Sequence, residues 1–179
     1  FQEMIYNYLG SKRDFLDKME LTETHGRGII QVDNPMTENY EFVRPSILPQ
    51  LLYSESVSGN AVFPHKSFEV GKIAYPDADD NYGSVTKNYL GFLHSDNGAD
   101  FNIISSYVSA LMFYLVRDYV LEELEDPRFI PGRAAVIRYN GKQTGVLGEV
   151  HPQVLENWGI QMPVTVCELD LDGILAGHG

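Results

Sequence analysis

Hydrophobic residues recur along the chain with two different spacings, which separate helices from strands. Between Asp100 and Tyr119 they return every three or four residues, the spacing of one face of an α-helix. This pattern predicts the longest helix, with Asp100 as its N-cap and an apolar stripe typical of a helix packed on a core. The stripe consists of Ile103, Ile104, Tyr107, Val108, Leu111, Met112 and Leu115.

Capping residues predict three shorter helices. Ser11 can cap a first helix that extends to Met19, and Ser46 can cap a second one with leucines along one side. Pro152 stands at the start of a third helix, where its missing N–H has no cost, and Gly159 ends that helix.

Alternating hydrophobic and polar residues predict the strands. The clearest pair is Arg133–Tyr139 and Gln143–Glu149, because the intervening Asn140-Gly141 supplies the positive φ angles of a type I′ turn. Strands joined by short turns favour an α+β fold, with an antiparallel or mixed sheet flanked by helices. The other predicted strands are Glu3–Leu9, Ile29–Val32, Tyr40–Arg44, Ser67–Tyr75, Val85–His94 and Val164–Leu171.

Size and composition fit one domain in a reducing compartment. We expect residues 1–179 to form a single domain, either a fragment of a longer protein or a freestanding one. The beginning of the chain, FQEMIYNYLG, lacks the basic and apolar regions of a signal peptide, and no hydrophobic run is long enough to span a bilayer. Cys167, the single cysteine, excludes an internal disulfide. We therefore expect a cytoplasmic protein without membrane contact.

The charge of the chain disfavours nucleic-acid binding. It has 25 acidic and 13 basic residues, and its net charge of −12 should repel a phosphate backbone. The acidic stretches Pro76–Asp80 and Glu122–Asp126 are typical of solvated loops or faces. Direct contact with RNA is thus expected to be weak.

The sequence contains no recognisable catalytic or metal-binding motif. No serine lies in a GxSxG elbow, and no two histidines are three or four residues apart, so neither a hydrolase nucleophile nor a zinc site is expected. Gly141, Gly145 and Gly148 lie within the predicted hairpin, which indicates turn and bulge glycines, not a phosphate-binding loop. The histidines are His25, His65, His94, His151 and His178, and each is expected at the surface or hydrogen-bonded.

Glu168, Asp170 and Asp172 alternate at the end of the last predicted strand. On a strand they would share one face, where three carboxylates could bind Mg²⁺. Alternatively, Asp170 or Asp172 is the N-cap of a final helix, and the pattern favours this second interpretation.

Four segments, taken in order, resemble the catalytic-domain-like region of the phenylalanyl-tRNA synthetase β subunit of the archaeal/eukaryotic type. The run GEVHPQVLENWGI, inside the last segment, is the most specific part. The segments are Asn34–Leu52 (NPMTENYEFVRPSILPQLL), Ser67–Ile73 (SFEVGKI), Pro131–Val136 (PGRAAV) and Gly145–Leu175.

The resemblance implies the class II synthetase fold, in a copy that does not itself perform aminoacylation. A working class II site needs an arginine that holds the α-phosphate of ATP, but the chain has Phe68-Glu69-Val70-Gly71 on that strand. In place of a glycine-rich segment that ends in arginine, it has Glu168-Leu169-Asp170-Leu171-Asp172, whose carboxylates would repel a triphosphate. We therefore expect no catalytic, cofactor-binding or metal-binding residue in this domain.

The retained motif residues are expected to have structural roles. Arg44 could pair with a carboxylate in the core or on a partner, Gly132 would allow a close approach of the backbone, and Arg133 could belong to a buried ion pair. The complete set is Asn34, Pro35, Arg44, Pro131, Gly132, Arg133, Gly148, Glu149, His151 and Pro152.

The bend between the hairpin and the following helix concentrates four of these motif residues. Gly148 and Pro152 are expected to shape the bend. Glu149 and His151 could hydrogen-bond across it.

What the resemblance implies overall is a scaffold and interface module. It would pack against the synthetase α subunit, which would bind ATP and Mg²⁺, and its acidic surface would contact tRNA weakly. The alternative is a freestanding paralogue that binds an amino acid or an adenylate-like ligand in the relic pocket. An enzyme that activates an amino acid alone is disfavoured by the missing arginines.

Overall fold

The computed structural model describes residues 1–22 and 27–176. The elements, in chain order, are β1 (Gln2–Glu3), β2 (Leu9–Gly10), α1 (Lys12–Phe15), a 3-10 turn (Asp17–Met19), β3 (Ile30–Gln31), β4 (Phe42–Val43), α2 (Leu48–Val57), β5 (His65–Pro76), β6 (Ser84–Ser95), α3 (Phe101–Tyr114), β7 (Val120–Glu123), β8 (Phe129–Tyr139), β9 (Lys142–Val150), α4 (Pro152–Trp158), β10 (Val164–Asp170) and α5 (Leu171–Leu175).

A mixed sheet organises the domain. Within the described ranges, seven strands form this sheet in the order β1-β5-β6-β10-β9-β8-β7. β1 runs parallel to β5, and the other neighbouring pairs are antiparallel. A smaller sheet pairs β2, β4 and β3 in that order. The α+β fold with a mixed sheet, predicted from the short turns, is confirmed.

Helices cover both faces of the large sheet because its central strands are hydrophobic on both sides. On β10, Val164 and Val166 join the core formed with α2 and α4, whereas Cys167 and Leu169 join the core formed with α3 and α5. Cys167 is fully buried, and this burial raises the pKa of its thiol well above the usual value. The thiol is therefore a core group that resists ionisation.

Local signals in the sequence determine where several elements begin and end. The side chain of Ser11 accepts a backbone hydrogen bond at the start of α1, and that of Asp100 does so at the start of α3. Asn140 and Gly141 have φ angles of 51° and 74°, as a type I′ turn requires. Gly159, with φ of 71°, ends α4. Each of these predictions is confirmed.

The longest helix is shorter than predicted, and a strand follows it. α3 ends at Tyr114 and not near Tyr119, because Val116 adopts a left-handed φ of 56° that interrupts the helix. The chain then turns into β7, a mostly exposed edge strand that includes part of the acidic stretch Glu122–Asp126, which was expected to be a solvated loop or face. None of the helices in residues 1–22 and 27–176 is long and apolar enough to cross a membrane.

The predicted first strand, Glu3–Leu9, is instead split between two sheets. After β1, Met4 donates its backbone N–H to the carbonyl of Phe68, and Ile5 is then exposed. The chain leaves the large sheet there and joins the small one at β2. The hydrophobic pattern could not locate this change of partner, because both strands have the same period.

Gly145 lets β9 lie close to β10. A Cβ atom at this position would be 2.3 Å from the carbonyl oxygen of Glu168, which is a backbone atom and cannot swing away. Gly145 is therefore needed because no side chain fits between the two strands. The sequence predicted a structural role for the hairpin glycines, but not this close approach.

We predict that Gly145→Ala lowers the free energy of unfolding by about 1–3 kcal/mol, because the strands must separate to admit the methyl group. Gly59→Ala is the matched control: nothing lies within 4 Å of its added Cβ, so the change should stay within about 0.5 kcal/mol. Urea denaturation of both variants measures the difference, and equal stabilities would contradict the close approach.

Candidate functional site

The start of α2 rests on the sheet above Gly91. Glu69 on β5 and Glu168 on β10 both pair with Gly91 on β6, so that the glutamates flank the glycine on the same face of the sheet. A Cβ at Gly91 would be 2.7 Å from Cγ2 of Ile47, the residue that precedes α2. The glycine thus makes room for the helix, and both glutamates are only 2% exposed.

Arg44 neutralises Glu69 in the core. Its Nη2 lies 2.6 Å from Oε1 of Glu69, and its Nε donates to the carbonyl of Lys72 at 2.8 Å. Gln50 of α2 accepts a hydrogen bond from the same guanidinium. A Cβ at Gly71 would be 2.1 Å from Arg44 Nη2, so the glycine beside Glu69 leaves room for this buried cation. The carboxylate partner of Arg44 therefore belongs to the domain itself.

Glu168 caps α2 from the opposite side. Its Oε2 accepts hydrogen bonds from the Ser46 hydroxyl at 2.8 Å and from the Ile47 N–H at 3.1 Å. Ser46 was expected to be the N-cap, but the N-cap is Ile47, which has no side chain able to accept a bond. The Ser46 hydroxyl still accepts the Leu48 N–H at 3.2 Å. The carboxylate of Glu168 is the acceptor for the preceding N–H, that of Ile47.

Arg27 provides the positive charge beside Glu168. Its Nη1 lies 3.3 Å from Glu168 Oε1 and also donates to the carbonyl of Pro45 at 2.9 Å, while Nη2 donates to the Tyr89 hydroxyl at 3.1 Å. Burial alone would lower the pKa of Arg27, but Glu168 and the hydroxyls of Tyr89 and Tyr75 outweigh it and raise the pKa. Burial in turn raises the pKa of Tyr89. The guanidinium is therefore fixed and charged.

The remaining carboxylates of the ELDLD segment are also hydrogen-bonded. Asp170 forms an ion pair with Lys87 at 2.5 Å and accepts the Gly173 N–H as N-cap of α5. Asp172 accepts two hydrogen bonds from Asn88, which hold the pKa of this carboxyl below its usual value. The helix-cap interpretation is confirmed, and the segment is less repulsive to anions than its sequence suggested, because Glu168 and Asp170 are paired with cations.

A cavity of about 230 Å³ opens beside Glu168. Its polar lining includes Arg27, Ser46 and the ion pair between Arg128 and Asp126, whose Nη2 and Oδ2 are 2.7 Å apart. The charged groups around it are thus paired with one another. Among the described residues, no cluster of three or more His, Cys, Asp or Glu side chains is placed to hold a metal ion.

Residues 1–171 match the family described as "Phenylalanyl tRNA synthetase beta chain CLM domain". The chain belongs to this family. Over 98% of its length it is 45% identical to the phenylalanine–tRNA ligase beta subunit of Treponema pallidum, and 47% identical to that of Borrelia recurrentis. The chain spans 28% and 30% of the length of these relatives.

The PGR motif of this CLM domain lies on an irregular stretch of β8. Pairing with β9 shifts register between Phe129 and Ala134, which leaves Pro131, Gly132 and Arg133 outside the regular ladder. Gly132 has φ of 74°, but nothing lies within 4 Å of an added Cβ. Its backbone conformation favours glycine, and the expected close approach is wrong among the described residues.

Arg133 pairs with Glu149, but the pair is not buried as a whole. Arg133 Nη1 lies 2.8 Å from Glu149 Oε2, and the arginine side chain is 58% exposed because the irregular stretch points it outward. The other Glu149 oxygen accepts the Phe101 N–H at 2.8 Å. The pair therefore links the hairpin to the start of α3.

The bend after β9 is built differently from the expectation. His151 Nδ1 accepts the Gln153 N–H at 3.1 Å and caps α4, so it bonds within its own helix and not to Glu149. Pro152 is the first residue of α4, as predicted. Gly148 lies within β9, where a Cβ would be 2.8 Å from Ala134, so it serves strand packing more than the bend.

The other predicted motif residues and histidines have varied surroundings. Asn34 and Pro35 lie in an exposed loop between β3 and β4, and Asn34 has a left-handed φ of 53°. His65 bonds Glu55 at 2.9 Å, and His94 bonds the Tyr107 hydroxyl at 2.8 Å. His25 and His178 lie outside the described residues.

We predict that Arg44→Met lowers the free energy of unfolding by about 3–5 kcal/mol, because it leaves the buried Glu69 carboxylate without its cation. Arg138→Met is the matched control, since Arg138 pairs with the exposed Glu122 at the edge of the sheet. That loss should not exceed about 1 kcal/mol. Chemical denaturation checks both values, and equal losses would contradict a special role for the buried pair.

Proposed function

We propose that this domain is a non-catalytic, structural part of a phenylalanyl-tRNA synthetase β subunit. In this role it packs against the α subunit, which binds ATP and Mg²⁺ and attaches phenylalanine to its tRNA. The observation that carries the proposal is the family match over residues 1–171, combined with a sheet face whose charged side chains bond one another.

The pairing on this face supports the absence of catalysis. A synthetase site needs cations that are free to meet the phosphates of ATP. Here the strand on which the resemblance places the catalytic arginine carries Glu69, which takes up the charge of Arg44. Arg27 and Lys87 are engaged by Glu168 and Asp170 in the same way.

We also infer that the fold is of the class II synthetase type. Six neighbouring strands of the large sheet, in the order β5-β6-β10-β9-β8-β7, are antiparallel, and helices cover both faces. This arrangement supports the assignment. The proposed assignment to the archaeal/eukaryotic type of β subunit rests on the four resembling segments, of which Gly145–Leu175 contains the most specific run. The domain order of the full-length subunit tests it.

Exposed hydrophobic side chains at the end of α3 are the proposed contact with the α subunit. Phe113 and Tyr114 are 77% and 82% exposed, and Val116 follows in its left-handed conformation. The two rings lie 5.8 Å apart, edge to face. Exposed aromatic residues that cluster in this way commonly anchor protein interfaces.

We predict that the matching α subunit co-purifies with the unmodified chain, and that Phe113→Ser/Tyr114→Ser lowers retention at least about tenfold, as expected for lost interface anchors. The thermal stability of the variant should be unchanged because both side chains are exposed. Tyr82→Ser is the control, since Tyr82 is 92% exposed at the β5–β6 turn.

Failure of the unmodified chain to bind the α subunit would contradict the proposed assembly. Equal retention of the Phe113/Tyr114 variant and the Tyr82 control would reject this surface while leaving the assembly in place. Pull-down at several salt concentrations separates specific retention from weak charge effects.

The freestanding, ligand-binding alternative stays a prediction with its own test. Phenylalanine or ATP should raise the melting temperature of the isolated chain if the cavity beside Glu168 binds either compound. The structural proposal expects no shift. Weak contact with tRNA and a cytoplasmic location likewise remain predictions.

A further inference from the structure

We propose that the Glu168 carboxylate is a built-in occupant of an oxyanion site, and that the vacated site would bind a small external carboxylate. The donors of this site are the Arg27 guanidinium, the Ser46 hydroxyl and the Ile47 N–H. They surround both carboxylate oxygens: Oε1 contacts Arg27, and Oε2 accepts from Ser46 and Ile47.

The donors are held by contacts that do not involve Glu168. Arg27 is fixed by the carbonyl of Pro45 and the hydroxyl of Tyr89, and its guanidinium carbon lies 5.2 Å from the centre of the Tyr89 ring. Ser46 is held by the Leu48 N–H at 3.2 Å. Removal of the carboxylate should therefore leave the donors in place and unsatisfied.

The electrostatics of the site favour an anion. α2 has ten residues, and the N–H of its N-cap, Ile47, meets the carboxylate at the positive end of the helix dipole. Arg27 adds a full positive charge from a second part of the chain. The combination of a helix end, a hydroxyl and a fixed guanidinium matches a compact carboxylate such as formate.

A route to the site already exists. Arg27, Ser46 and Glu168 all line the cavity of about 230 Å³. Shortening Glu168 to alanine would join the space of its side chain to this cavity. An external anion could then reach the donors without unfolding of the sheet. In the unmodified chain the Glu168 carboxylate already binds these donors, so an external carboxylate should neither bind there nor stabilise the protein.

The test is the thermal unfolding of Glu168→Ala in sodium formate and in sodium chloride at equal ionic strength. In chloride the melting temperature should fall by roughly 10 °C, because Arg27 loses its carboxylate and α2 loses its cap. Formate up to about 0.5 M should restore about half of this loss in a saturable manner. Phenylalanine-sized carboxylates such as benzoate test how much larger an occupant the cavity accepts.

Two controls separate site occupation from general salt effects. The controls are the unmodified chain and Glu123→Ala, which removes an exposed glutamate from edge strand β7. Each control should have the same melting temperature in formate as in chloride, apart from the general effect that the two salts have on any protein. An equal response of Glu168→Ala to both salts would overturn the proposal. So would a formate-specific gain of the same size in the unmodified chain.

If Glu168→Ala does not fold in chloride, the yield of refolded protein in each of the two salts tests the proposal instead. Folded protein recovered in formate but not in chloride supports the proposal, and equal yields in both salts overturn it. These measurements use the isolated chain, so they do not depend on whether it assembles with an α subunit.

Discussion

The attachment of α2 to the sheet depends on buried charge. Glu69 and Glu168 flank Gly91, and each is held by an arginine from the chain that precedes the helix. A buried carboxylate without a partner is costly, so neither glutamate could stay there alone. The ion pairs therefore fix Arg27 and Arg44, and with them the start of α2, against β5 and β10, while the leucines of α2 complete the core.

The same arrangement changes how the acidic sequence should be interpreted. Glu69, Glu168 and Asp170 cancel the charges of Arg44, Arg27 and Lys87 within the domain, so the net charge of −12 is carried by the remaining groups. The charged side chains on this face of the sheet are thus engaged with one another. If the domain has the proposed structural role, these contacts give a physical reason for it, because the cations they engage are not free to meet phosphates.

Local patterns predicted the elements of this fold far better than its long-range contacts. Asp100, the Asn140-Gly141 turn and Gly159 act through neighbouring backbone groups, so their effects can be inferred from a few residues. Glu168 caps a helix more than a hundred residues earlier in the chain, and no local rule connects the two. A partial signal did exist, because Glu69 is two residues from Gly71 and four from Ile73, which face inward on β5, and an inward charge requires a partner.

The most direct test of the buried charge is a double-mutant cycle on the pair that fixes α2 to β5. Arg44→Met and Glu69→Leu are made singly and together, and the free energy of unfolding is measured for each. If the buried charges depend on each other, the double variant should be more stable than the two single losses imply, with a coupling energy of roughly 1–3 kcal/mol. Losses that add to within about 0.5 kcal/mol would contradict this dependence.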